Sequence, residues 1–409
     1  MAATAPATGP ASRAPSPAVA PPPGNPRFPL FDSLRGLAVL AVVVFHVFLL
    51  TGALNRRGIG DAVAVLGSLG PVLFFALSGF LLYRPWVVRR PTGREPPSVA
   101  RYARRRALRI LPAYWFALTA LAVFPGIAGA FTGDWWRYYF FLQLYDPATL
   151  GLGIPVAWTL CVEVSFYVLL PLWGLALRRV RHGWIRAELT ALAGLAACGA
   201  LVQAAAARQA LPLVLSQSLP GQIPWFAVGM ALAVASVAEH HGGRRAPRRV
   251  IERPGLCWLG AALAVAGLTL VRRQQGGLLG IVAALHAEQP YPKIAADVAL
   301  TAAFLALVLL PATFGQNAGG HVRRLLAARP LALLGLISYG VFLWHLTIAE
   351  VLILPAAPGH FDAAGLDLAA RLPAGRTAIL LVLTLALSCA VAAASYRVIE
   401  LPFLRRKER

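Results

Sequence analysis

Apolar runs of about 20 residues, separated by short polar stretches, recur along the whole chain. Approximate spans are 31–51, 64–83, 107–124, 157–177, 188–206, 222–238, 255–271, 296–314, 331–352 and 377–397. As α-helices, runs of this length cross a hydrocarbon core of about 30 Å. Inside lipid only helices or closed barrels satisfy their own backbone groups. The pattern therefore predicts an all-α, polytopic integral membrane protein with about ten transmembrane helices. Residues 1–29, rich in Ala and Pro and without such a run, read as a disordered tail and not as a cleaved leader. Residues 30–405 are expected to form the membrane domain, with no attached soluble domain.

Composition agrees: 58% of residues are hydrophobic and 13% charged, where soluble domains carry about 25% charged residues. A net charge of +22 would suggest nucleic acid in a soluble protein, but its distribution gives another reading. The N-terminal tail through Arg35, the segments 84–109, 178–186, 239–254 and 315–330, and the C-terminal tail hold 29 of the 38 Lys and Arg. The alternate loops hold 9. Positive charge marks the cytoplasmic side, so both termini are expected there. The rest of the effect is attraction to anionic inner-leaflet lipid, and no nucleic-acid partner is expected. Cys161, Cys198, Cys257 and Cys389 lie in or beside the spans without paired short spacing, and read as small core residues, not as a disulfide or metal site. Heavy use of Ala, Arg and Gly with two lysines points to a GC-rich bacterial genome and a multi-pass protein of the plasma membrane. Oligomeric state is not legible.

Ionisable residues inside spans are costly and mark function by default. Glu163 is the one carboxylate well inside a span, and His46 and His345 are the histidines there. Counting from the predicted outer helix ends, all three fall within about 8–11 Å of the outer interface at 1.5 Å per residue. They are therefore expected to share a pocket in which Glu163 orients His46. Asp32 and Arg35 start the first span at the opposite surface, and Arg106 and Arg109 start the third. Arg35 and His46 share a helix face about 16 Å apart. The expected arrangement is a shaft with guanidinium groups at one mouth and an imidazole deep inside. Guanidinium groups suit phosphate, so a phosphorylated carrier with a long arm, such as coenzyme A, fits the shaft. Each residue also has a structural reading: packing for the histidines, helix pairing for Glu163, topology for the arginines. Ser78, beside Gly79, reads as close helix packing, and Glu400 as a partner for a cytoplasmic arginine. The aromatic segment 135–145 is expected on the outer surface at an acceptor entrance.

Six segments in order carry a family likeness. Phe31-Asp-Ser-Leu-Arg-Gly-Leu-Ala38 leads to His46, and residues 74–80 read Phe-Phe-Ala-Leu-Ser-Gly-Phe. Arg106-Ala-Leu-Arg-Ile-Leu-Pro112, Trp158-Thr-Leu-Cys-Val-Glu163, Ser338-Tyr-Gly-Val-Phe-Leu-Trp-His345 and Ile399-Glu-Leu-Pro402 follow. Together they resemble the motifs of the acyltransferase-3 membrane family, which contains O-acetylases of bacterial surface sugars and macrolide acyltransferases. Thr159 stands where serine is commoner, and Phe342 where the motif has tyrosine. The resemblance implies transfer of an acyl group, typically acetyl, from cytoplasmic acyl-CoA to a hydroxyl of a carbohydrate or a secondary metabolite such as a macrolide. It implies His46 as catalytic base; the chemistry of the groups adds an acyl-His46 relay as the competing route and Glu163 as the group that orients His46. Arg35, Arg106 and Arg109 bind the donor, with Asp32, His345 and Tyr339 in support. No metal and no permanently bound cofactor is expected. A transporter or flippase of an acylated or sugar-linked lipid is the competing class; the absence of internal repeats weighs against it.

Overall fold

Uninterrupted apolar sequence leaves the backbone no partner but itself, and each predicted run is helical. The structure, a computed structural model, describes residues 28–56, 58–93, 95–177, 180, 183–241, 253–272, 287–314, 320–353 and 372–406; most of the predicted N-terminal tail lies outside them. The long helices are α1 (Pro29–Leu50), α2 (Ile59–Thr92) and α3 (Val99–Val123). After a short α4 (Trp135–Tyr139) come α5 (Trp158–Ala176), α6 (Trp184–Ala207), the short α7 (Leu213–Gln217), α8 (Leu219–His240), α9 (Pro254–Val271) and α10 (Tyr291–Thr313). The chain ends in α11 (His321–Leu326), α12 (Arg329–Leu336), α13 (Ser338–Ile353) and α14 (Ala374–Ser395). A π-turn, Tyr396–Glu400, carries α14 into α15 (Leu401–Arg406). Among the described residues nine helices are long and apolar enough to cross a membrane, and the bent pair α12–α13 makes a tenth. The chain is a multi-pass membrane protein.

Outer helix faces carry exposed Leu201, Leu263, Val382 and Leu387, as a lipid-facing surface requires. The inner faces form one core around α1, α2 and α8, where Phe75 and Phe166 stack on Phe226 at 4.8 and 4.0 Å. Small residues bring backbones together in lipid. Gly79 of α2 lies against the Phe226 backbone, and Gly229 of α8 against the backbone of Ala76 and Phe80. Gly36 and Gly335 make the same close approach between α1 and α12. Below this contact Glu188 of α6 is buried and paired with Arg90 at 2.6 Å, with Tyr83 donating a further hydrogen bond to it. A charge at 1% exposure is tolerable only with such partners.

Two departures from the simple span pattern matter for the site. The predicted span 331–352 is broken, with α12 and α13 meeting at 76°. The break leaves Ser338 and Tyr339 at the start of α13, inside the protein, where irregular backbone is allowed in a bilayer. The second departure is the stretch between α3 and α5. Tyr138, Phe141, Leu144, Ile154, Val156 and Ala157 are all buried, so this connection dips into the bundle and α5 starts below the helix ends around it. The expectation that 135–145 lies flat on the surface holds only for one side, with Trp135, Trp136 and Phe140 exposed.

Candidate active site

Two imidazoles from helices 299 residues apart meet in the interior: His345 Nε2 lies 3.2 Å from His46 Nδ1, with ring centroids 5.0 Å apart. The surrounding carbonyls fix the protons. His345 Nδ1 faces Phe342 O at 2.9 Å and Val341 O at 3.0 Å. A carbonyl only accepts, so His345 carries its proton on Nδ1 and presents a lone pair at Nε2. That lone pair and Val42 O, 2.8 Å away, both face His46 Nδ1, which must therefore be the protonated nitrogen. His46 Nε2 is left with its lone pair and has no hydrogen-bond partner among the described residues. His345 is fully buried and His46 partly so.

Glu163 is not part of this pair. Its Oε1 accepts a hydrogen bond from Ser78 Oγ at 2.6 Å, and Tyr167, one turn on, bonds the same carboxylate. Along α2, Gly70 packs on Val42, and Ser78 lies eight residues further, about 12 Å toward the arginine-bearing pole. The expected common level and the expected Glu163–His46 contact are thus corrected. The depth count assumed that α5 starts at the membrane surface, whereas its entry segment is sunk in the bundle, so Glu163 sits a corresponding distance deeper.

Glu163 instead joins the arginines. Arg35 Nε lies 3.5 Å from Ser338 Oγ, its guanidinium stands 5.6 Å over the Phe74 ring, and it feels the charges of Arg109, Glu163 and Asp32. Tyr339 OH donates to Ile110 O at 3.0 Å, which ties α13 to α3 beside Arg109. Arg106 lies 6.0 Å over the Tyr167 ring, and its buried Nε has no partner among the described residues. Asp32 is exposed, with its backbone carbonyl against Gly335. Glu400, 6% exposed in the π-turn, lies within electrostatic range of Arg109 and Arg35. Single-turn π segments recur at functional sites, and the carboxylate set aside as a structural partner therefore belongs to this cluster. Ser78, likewise set aside, does so through Glu163.

A cavity of about 50 Å³ connects the two levels incompletely. Arg35, Ser78, Glu163 and Ser338 line one end, and Pro71 and Phe342 the other. Phe342 precedes His345 by one turn, so the cavity stops short of the imidazoles. It has room for a few waters, not for the arm of a carrier. The expected open shaft is closed in this conformation.

The chain matches an acyltransferase domain over residues 29–393. It is 30% identical to the acyltransferase MdmB of Streptomyces mycarofaciens over 186 residues, 42% of this chain and 46% of that protein. It is 24% identical to the putative peptidoglycan O-acetyltransferase YrhL of Bacillus subtilis over 349 residues, 78% of this chain and 48% of that protein. With the peptidoglycan O-acetyltransferase OatA of Listeria monocytogenes it shares 24% over 158 residues, 35% of this chain and 23% of that protein. The matched stretches span half or less of these relatives. No solved structure matches. With a match that runs from the start of α1 almost to the end of α14, this bacterial-type membrane protein belongs to the acyltransferase-3 family.

Proposed function

We propose that the chain is a membrane O-acyltransferase that moves an acyl group, acetyl in the first instance, from acyl-CoA to a hydroxyl of a carbohydrate or macrolide-type acceptor. The observation that carries this is the free lone pair on His46 Nε2, held there by His345 and Val42 O. A hydroxyl is a poor nucleophile at neutral pH, and a positioned imidazole accepts its proton as it attacks. The acceptor O–H gives its proton to His46 Nε2 while its oxygen bonds to the thioester carbonyl carbon. The tetrahedral adduct then collapses, the C–S bond breaks, and the leaving thiolate takes the proton back from Nε2. The imidazolium formed in between is stabilised by the two acceptors on Nδ1, the part a carboxylate plays in a serine-protease triad. If Nε2 instead attacked the thioester itself, an acyl-His46 species would accumulate without acceptor, and rapid-quench labelling distinguishes the two routes.

Arg35, Arg106 and Arg109 are assigned to the phosphates of the donor. The unpartnered Arg106 Nε suits a charged acceptor oxygen, and Glu163 and Glu400 keep the cluster near neutrality. The donor arm would reach His46 past Pro71 and Phe342, whose ring would have to turn aside. Purified protein in lipid nanodiscs, given labelled acetyl-CoA and a soluble alcohol, should release free CoA thiol in proportion to ester formed. Solute movement without thioester consumption would support a transporter instead. In the same assay Arg106→Ala should raise KM for acetyl-CoA at least tenfold, about 1.4 kcal/mol and within the range of a lost charge-assisted hydrogen bond, with kcat within threefold of wild type. A fall in kcat at unchanged KM would remove Arg106 from the donor site.

A further inference from the structure

The pole that carries His46 holds a recess of about 450 Å³ between α2, α5, α6, α7, α8, α9 and α10, within the 300–1,000 Å³ or so of small-molecule pockets. Its position follows from the packing of α2. Gly67 lies against the Phe45 ring and Gly70 against Val42, so Ser68, Pro71 and Val72, which line the recess, stand level with the turn of α1 between Val42 and His46. Pro71 lines both this recess and the small cavity that leads to Arg35 and Glu163. The recess therefore meets the inner cavity at Pro71, and no residue of α1 or α13 lines the recess itself.

Its lining differs from that of the apolar grooves on the lipid-facing sides. Gln203 Nε2 donates to Gly221 O at 2.5 Å and Gln222 Nε2 to Ser216 O at 2.7 Å. Because those partners only accept, the amides cannot be turned the other way, and each keeps its Oε1 as an acceptor with no partner among the described residues. The Gln217 amide and the Trp158 indole N–H make no hydrogen bond among the described residues either. Arg272 and Asp297 close one wall as a two-toothed ion pair, at 2.8 and 2.9 Å from Nε, so neither charge is available to select an ion. What remains is a set of amide carbonyls that suit hydroxyl donors, an indole N–H, the Lys293 ammonium, which donates to Gln289 Oε1 at 2.8 Å, and the indole rings of Trp158 and Trp225. A sugar ring has this complement: hydroxyls around its rim and an apolar C–H face.

We infer that this recess is the acceptor subsite and that it takes a glycosyl ring, with Trp158, Gln203, Gln217 and Gln222 as the recognising residues. The inference rests on the transferase reading, since it supplies the hydroxyl that His46 would deprotonate. An apolar aglycone or a lipid tail would leave these amides without partners, which disfavours it.

The test measures binding without any acyl donor: equilibrium dialysis of labelled methyl hexosides against the full chain in nanodiscs, with 1-hexanol as competitor. Saturable binding of a methyl hexoside, weakened at least tenfold by Trp158→Ala and by Gln217→Ala and unaffected by the lipid-facing Leu263→Ala, is the expected result. Gln217 makes no hydrogen bond through its side chain among the described residues, so its variant keeps the test intact if Trp158→Ala fails to fold. Absence of hexoside binding, equal binding by all variants, or displacement by hexanol at hexoside concentrations would overturn the assignment. Acetyl-CoA turnover with hexanol as acceptor is read separately on the wild-type preparation. Turnover without hexoside binding rejects the subsite alone, and hexoside binding without turnover on any hydroxyl rejects the transferase.

Discussion

His46→Ala is expected to lower kcat for acyl transfer about 10²–10⁴-fold, the usual contribution of a positioned general base. Removal of the imidazole takes away the lone pair that receives the hydroxyl proton. It also takes away the donor that satisfies Val42 O and the buried His345 Nε2. KM for acyl-CoA should change little, because Arg35 sits about 16 Å along the same helix and Arg106 and Arg109 belong to α3. His345→Asn should cost less than His345→Ala, since an amide oxygen can still accept from His46 Nδ1. That graded loss would not follow from a packing role. Steady-state kinetics on the three variants, with size-exclusion profiles to confirm folding, makes the comparison. Wild-type turnover by His46→Ala would remove it from the chemistry.

The largest effect on folding is expected from Gly229→Leu. A Cβ at Gly229 would overlap the Ala76 carbonyl and crowd the Phe80 amide of α2, and backbone cannot yield by a change of rotamer. Overpacking of a core costs about 1–3 kcal/mol and more when backbone must move. Here α2 and α8 would have to separate along a contact that also holds the Phe75–Phe226–Phe166 stack. The expected outcome is loss of the monodisperse peak in detergent and a large drop in thermal midpoint. By contrast Gly255→Ala, where a Cβ meets nothing, should leave both unchanged. Near-native stability of Gly229→Leu would mean that the helices are further apart than described.

Membrane spans were the most legible part of the sequence, because a run of 20 apolar residues has few other solutions. All ten predicted positions are helical, yet their ends were not readable. α2 runs on to Thr92 and α3 starts at Val99, since amphipathic turns continue a helix past the bilayer without an apolar signal. The break at Ile337 was hidden inside an unbroken apolar stretch, and it is what puts Ser338 and Tyr339 beside Arg35 and α3. His46 and His345 were correctly expected at one level. Their direct contact was not foreseen, since sequence does not say how two helices are rotated. Glu163 was misplaced for a related reason: distance along a helix converts to depth only if the helix starts at the surface, and the buried Ile154–Ala157 entry is apolar like a surface-anchored one. Glu400 was legible as a motif residue, but its approach to Arg109 depends on the π-turn, which leaves no mark in composition.

The claim beneath the mechanism is that His345 holds the proton of His46 on Nδ1 and leaves Nε2 bare. Nitrogen NMR of ¹⁵N-histidine-labelled protein in nanodiscs, with the His46 signals assigned by their loss in His46→Gln, reads the two ring nitrogens directly. The account predicts a protonated, hydrogen-bonded Nδ1 and an unprotonated Nε2 at neutral pH. A His46 that carries its proton on Nε2 would have no base to offer an acceptor hydroxyl, and the mechanism would fail.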